Sequence, residues 1–146
     1  RFLRLVAAAM EPHPTENADV IMYSGHAGLG KNIAAMARKG KVTPGKYQFV
    51  LLNGCQTFAY IDPTINERRT EANGPAVDPQ GTKFMDIMGN ALPGSSATLA
   101  SMSVAVIDAA MRPDAPRSFN QILDDMPHDQ LVVVFGEEDN QFSPSK

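Results

Sequence analysis

The chain has 146 residues, 43% of them hydrophobic, with a formal net charge of −3 and a single cysteine. A chain of this length and apolar content buries the core of one domain. Its mild acidity and scarce aromatics do not make the basic, aromatic-interleaved surface that nucleic acid requires. One cysteine excludes both an internal disulfide and a cysteine-based zinc site.

Phe2, Leu3, Val6 and Met10 recur at near-helical spacing and predict a helix over residues 1–10, ended by Pro12 and Pro14. The apolar run over 5–10 is too short, and too soon followed by Glu11, for a signal peptide, and no stretch approaches the roughly 18 residues of a membrane span. The expectation is a soluble, cytoplasmic chain with no membrane partner. Residue 1 is Arg, with a helix already under way, so the sequence reads as an excised part of a larger domain.

Asp19-Val-Ile-Met-Tyr23 is a short apolar, β-branched run bounded by Asn17 and Ser24-Gly25. Its lack of alternation predicts a strand covered on both faces, as in a parallel sheet flanked by helices. Ile33, Met36 and Ala37 predict a helix over 32–39, with Gly40 to end it and Arg38 and Lys39 at the negative end of its dipole. Tyr47-Gln-Phe-Val-Leu-Leu52 is the next strand, and strand–helix–strand implies a right-handed parallel crossover. The loops after both strands then meet at the sheet edge where open α/β sheets bind ligands.

Residues 61–81 contain Pro63, Gly74, Pro75, Pro79 and Gly81 and predict a long, exposed, mobile loop, with Arg68-Arg69 as a nick site. Thr82 is placed to cap a helix over 82–92 that Pro93-Gly94 stops. A strand is expected within 97–102, a helix beginning at 108–111, another over 119–126, and a last strand at Leu131-Val-Val-Val-Phe135. The fold class is therefore α/β, in three α/β/α layers around a mostly parallel sheet, over one domain spanning 1–146.

Two loops carry chemistry. Tyr23-Ser-Gly-His-Ala-Gly28 and Leu51-Leu-Asn-Gly-Cys-Gln-Thr57 each follow an apolar strand directly, and their glycines allow an open backbone at a sheet edge. A thiol becomes a strong nucleophile when a neighbouring base takes its proton. This arrangement makes Cys55 the candidate nucleophile and His26 its base, with the N–H groups of Ala27 and Cys55 available to an oxyanion. Taken singly, a lone cysteine is more often inert core and a histidine in a glycine loop more often a turn residue; their equivalent strand-end positions favour a joint role. His13 and His128 sit among prolines and acids with no such setting. Neither Ser24 nor Ser101 lies in a G-x-S-x-G elbow.

The stretch 19–28 resembles the strand-and-histidine block of caspase-like cysteine peptidases, the clan of caspases, gingipains and separases, and 49–57 resembles their cysteine block, in particular that of CHAT domains. Residues 96–110 are similar to the CHAT segment in which a strand is followed by a valine, an aspartate and paired alanines. The three blocks run in that order over roughly 17–111. The resemblance implies a caspase-like fold and hydrolysis of peptide bonds in a protein substrate without a cofactor or a metal. It also implies His26 as base, Cys55 as nucleophile, Ala27 and Cys55 N–H as oxyanion donors, and Ser101, Met102 and Ser103 alongside the substrate backbone. Ala27 departs from the usual glycine, the chain has no tryptophan to wall the pocket, and strands that precede the histidine block in the family are missing, so the chain reads as a C-terminal portion. The remaining N-terminal part or a regulatory protein would be its partner.

A rival rests on the same residues. Gly25-His-Ala-Gly-Leu-Gly-Lys-Asn32 is one residue from the phosphate-binding pattern GxxxxGK[ST], after a strand and before a helix. Against a nucleotide hydrolase, Asn32 replaces the magnesium-binding hydroxyl and Asn53 stands where the metal-supporting aspartate belongs; Glu137, Glu138 and Asp139 lie far along the chain. A third reading is a non-catalytic interaction module of the caspase-like fold. Asp62, Glu67, Asp78 and Asp108 are candidates to receive a basic substrate side chain, none of them fixed by a motif. The acids Asp124, Asp125 and Asp129 read as a solvated face.

Overall fold

The computed structural model describes residues 5–7 and 16–136. Their strands form one sheet in chain order: β1 (Leu5–Ala7), β2 (Val20–Ser24), β3 (Gln48–Asn53), β4 (Met85–Asn90) and β5 (Val132–Phe135). β1 to β4 run parallel and β5 pairs antiparallel with β4. Parallel neighbours need a crossover; α1 (Lys31–Lys39) links β2 to β3, and α2 (Thr64–Asn73) lies between β3 and β4. Between β4 and β5 come α3 (Ser96–Ala110) and α4 (Phe119–Asp124).

Side chains alternate across the strands, and each set meets a different helix pair. Ile21, Val50, Leu52, Met85 and Ile87 pack with Ile33 and Ala37 of α1 and Ile65 of α2. Val20, Met22, Phe49, Leu51 and Met88 pack with Met102, Ala105 and Val106 of α3 and with Ile122 and Met126. The sheet is thus covered on both faces, which is why β3 is buried along its whole length and shows no polar alternation. The expected mixed α/β class with a mostly parallel sheet is observed, as are β2, α1, β3, α4 and β5 near their expected places.

Five expectations are corrected. Leu5–Ala7 is a strand beside β2 rather than part of a helix, so a strand does precede the histidine block; the rest of the expected 1–10 helix lies outside the described residues. The stretch 61–81 is not a long exposed loop: 64–73 is helical, with Ile65 and Arg69 buried one turn apart. Glu67, Arg68, Arg69, Glu71 and Ala72 are all competent helix formers, and a stripe that includes an arginine hides from a hydrophobic pattern. Arg69 is therefore no exposed nick site.

The stretch expected as a helix over 82–92 is β4. Met85, Ile87 and Met88 mimic helical spacing, and a short apolar run does not distinguish a buried strand from a helix by period alone. In the fold all six residues of β4 are buried, Asp86 and Asn90 included. Conversely, the strand expected within 97–102 is the first part of α3, where Ser95 accepts the Thr98 N–H at 3.2 Å as N-cap. Thr98, Met102, Ala105 and Val106 repeat at helical intervals toward the core. A helix that was expected to begin near 108 instead ends at Ala110.

Candidate active site

Ser24 and Asn53, the last residues of β2 and β3, are register partners, so His26 and Cys55 each lie two residues beyond an aligned pair. The two loops touch at their glycines. Gly25 N–H donates to the Asn53 carbonyl at 2.9 Å, and a Cβ on Gly54 would lie 2.2 Å from the Gly25 carbonyl oxygen. Only glycine permits that approach. Both His26 and Cys55 are exposed beside this contact.

The histidine loop is closed by its own side chains. Asn32, on the first turn of α1, donates to the His26 carbonyl at 2.7 Å and to the Tyr23 hydroxyl at 2.9 Å, and that hydroxyl donates to the same carbonyl. Gly28, Leu29 and Gly30 all have positive φ, winding the chain tightly enough that Gly30 N–H reaches the Ala27 carbonyl and Lys31 N–H the Gly28 carbonyl, each at 3.1 Å. These are the donors a phosphate cradle needs, and here they serve the turn. Asn32, the residue that breaks the phosphate-binding pattern, is the clamp.

The cysteine loop is equally fixed. Gln56 takes a left-handed conformation with φ 50° and starts a short 3-10 turn over Thr57–Tyr60. The chain therefore leaves β3, turns sharply and enters a helical turn, with Cys55 at the bend. Buried Thr57 donates its hydroxyl to the Leu52 carbonyl and accepts the Asn90 N–H at 3.1 Å. Gly54 N–H donates to Asn90 Oδ1 at 3.1 Å. Asn53, wholly buried, donates to the Leu99 carbonyl and, at 2.9 Å, to Ser103 Oγ.

Ala27 and Cys55, the expected oxyanion donors, have N–H groups with no hydrogen-bond partner among the described residues. The expected substrate-binding residues lie on α3, not on a strand. Ser101 is exposed and donates back to the Ala97 carbonyl at 3.2 Å. Met102 belongs to the core with no exposed surface, and Ser103 meets Asn53. A helix uses its backbone groups internally, so this segment has no strand edge to offer an extended peptide.

Three of the four acids considered for a basic substrate side chain are engaged elsewhere, and the fourth, Glu67, lies exposed on the first turn of α2. Asp62 accepts the Thr64 N–H at 3.0 Å, Asp108 pairs with Arg112 at 2.7 Å, and buried Asp78 accepts from Asn73 at 2.7 Å and from the Lys83 N–H at 3.2 Å. The perturbed groups in the sheet's surroundings lie at its other edge, where β3 begins. The Tyr47 hydroxyl donates to Asp86 at 2.5 Å; burial, and then the Asp86 carboxylate, push its pKa well above the usual range. Burial lowers Arg69 to about 10, partly offset by Asp78. A hollow of about 50 Å³ between α1, α2 and the sheet, lined by Ile21, Met36, Val50, Ile65, Arg69 and Met85 among others, has room for a few waters rather than a substrate.

Among the described residues, no cluster of three or more His, Cys, Asp or Glu side chains is placed to hold a metal ion, and no helix is long and apolar enough to cross a membrane. Sequence reasoning missed Tyr23, Thr57 and Asn90 as parts of this edge, and saw Asn32 and Asn53 only as departures from a phosphate site. The one signal available was an asparagine closing each apolar run, at 53 and at 90. Compared with protein-family models, with curated proteins and with solved structures, the chain finds no match in any of the three.

Proposed function

We propose that the chain is a cysteine peptidase in which His26 and Cys55 form a catalytic dyad on a caspase-like α/β scaffold. The observation that carries the reading is the contact of Gly25 with Gly54, which joins the histidine loop to the cysteine loop across two adjacent parallel strands. His26 takes the thiol proton as sulfur attacks the peptide carbonyl carbon, and the N–H groups of Ala27 and Cys55 face the oxyanion that forms. The proton then passes to the leaving amine, and water hydrolyses the thioester to free acid and thiol. No cofactor enters this chemistry. The partner is a protein or peptide.

The test is peptide hydrolysis by the intact protein, scored on a fluorogenic peptide library. Cys55→Ala should abolish turnover, and His26→Ala should lower it by about a hundredfold to ten-thousandfold, the usual worth of a general base. Lys31→Met should leave it unchanged. Turnover that survives Cys55→Ala, together with magnesium-dependent nucleotide binding lost in Lys31→Met, would reject the peptidase in favour of a nucleotide hydrolase.

A further inference from the structure

Gly54 lies just beyond the last register pair between β3 and β4, Leu52 with Gly89. Its N–H has therefore left the sheet ladder at the residue before Cys55, and a side chain has taken the place of the ladder carbonyl. That side chain is Asn90, whose Oδ1 accepts the Gly54 N–H at 3.1 Å. The backbone N–H of the same residue donates to Thr57 Oγ1 at 3.1 Å, two residues after Cys55. One wholly buried residue thus grips the cysteine turn before and behind the sulfur.

The amide cannot turn over freely. Its Nδ2 faces Met102 Sδ at 3.0 Å and Gln130 Oε1 at 3.1 Å, two groups that accept and do not donate. Gln130 is itself oriented by donating Nε2 to the Asp129 carbonyl at 3.3 Å, which leaves its oxygen for Asn90. Oδ1 is therefore the atom that must face Gly54. Thr57 is oriented in the same way, because its proton goes to the Leu52 carbonyl and its lone pair to Asn90. The chain of orientation runs from the loop before β5, through Asn90, to the turn that presents the thiol.

We infer that Asn90 is a positioning residue of the catalytic site, setting the Cys55 turn at the distance and angle from which His26 can take the thiol proton. The inference rests on the dyad reading and assigns Asn90 no contact with substrate. Its effect is on the coupling between His26 and Cys55 rather than on either group alone.

Iodoacetamide reads that coupling without a known substrate, since Cys55 is the only cysteine and its labelling is unambiguous by mass. Labelling rates are measured for the wild type, His26→Ala, Asn90→Ala and the double variant, below the onset of unfolding. His26→Ala should slow labelling in the wild-type background, and this His26 dependence should shrink by at least about twofold in Asn90→Ala, as for groups that act through one another. An equal His26 effect in both backgrounds overturns the positioning role and leaves the dyad standing. No His26 effect in the wild type overturns the dyad and this inference with it. If Asn90→Ala does not fold, Gln130→Ala removes the oxygen acceptor of Nδ2 and loosens the amide while Asn90 stays in place. There the same shrinkage, with faster hydrogen exchange at the Gly54 amide, is expected; an unchanged His26 dependence overturns the inference.

Discussion

Gly54→Ala would set a methyl carbon 2.2 Å from the Gly25 carbonyl oxygen and 3.1 Å from Thr57 Cγ2. Carbon and oxygen rest at about 3.3–3.6 Å, so the two loops must part by roughly 1 Å. Gly54 is not among the glycines with positive φ, which means that the damage comes from the contact and not from the residue's own backbone. Overpacking of this kind costs about 1–3 kcal/mol. Parting the loops also stretches the 2.9 Å bond from Gly25 N–H to the Asn53 carbonyl, worth about 1 kcal/mol more. The expected loss is about 2–4 kcal/mol, read as a lower urea midpoint at unchanged m-value. Gly45→Ala is the comparison: its φ is +69° with nothing within 4 Å of the added carbon, so only the left-handed penalty of about 1–2 kcal/mol applies. In the proposed enzyme a displacement of about 1 Å between base and nucleophile should also lower turnover about a hundredfold. A Gly54→Ala protein with the wild-type midpoint would refute the loop contact on which the dyad reading stands.

Two further predictions concern the scaffold. On a strand, Met102 and Val104 would share a face and respond alike; on α3, Met102 is wholly buried and Val104 is 63% exposed. Met102→Ala should cost about 2–5 kcal/mol, whereas Val104→Lys should stay within about 0.5 kcal/mol, and equal losses in chemical denaturation would contradict the helix. Tyr47 and Arg69 make opposite contributions in alkali. Tyr47 keeps its proton in the folded state above the unfolded pKa of about 10, so its share of stability falls as pH rises from there. Arg69, lowered to about 10, binds fewer protons folded than unfolded from about pH 10 up to the unfolded arginine value, so its share rises over that window. Tyr47→Phe should therefore make stability above pH 10 fall less steeply than in the wild type, measured as denaturant midpoints across pH; parallel profiles would show that the Tyr47–Asp86 pair does not govern it.

Much of the proposed site was legible because its signals are local. The runs that became β2 and β3 are apolar throughout, each ends in a residue pair that includes glycine, and His26 and Cys55 follow those pairs at matching offsets. Strand–helix–strand order then suffices to bring both loops to one edge. The α1 boundary was equally local, written in Ile33, Ala37 and Gly40. The mistakes fall where tertiary context overrules local pattern. Asp86 and Asn90 are tolerable in a fully buried strand because polar partners reach them from elsewhere in the chain, Tyr47 among them for the one and Gly54, Gln130 and Met102 for the other. Those partners are 36 to 40 residues away for Gly54, Tyr47 and Gln130, beyond any window in which periodicity is read. In α2, Arg69 is buried because the Phe84 carbonyl at 3.1 Å and Gln48 receive its guanidinium, again a matter of which strands lie beneath it. The sequence by itself determined the layered α/β class and the two loops at one sheet edge, since apolar runs and glycines act over a few residues. Only the tertiary structure decided that 85–90 is a strand and 96–110 a helix, and that an asparagine of β4 holds the cysteine turn, because burial of a polar side chain depends on partners that folding alone brings into reach.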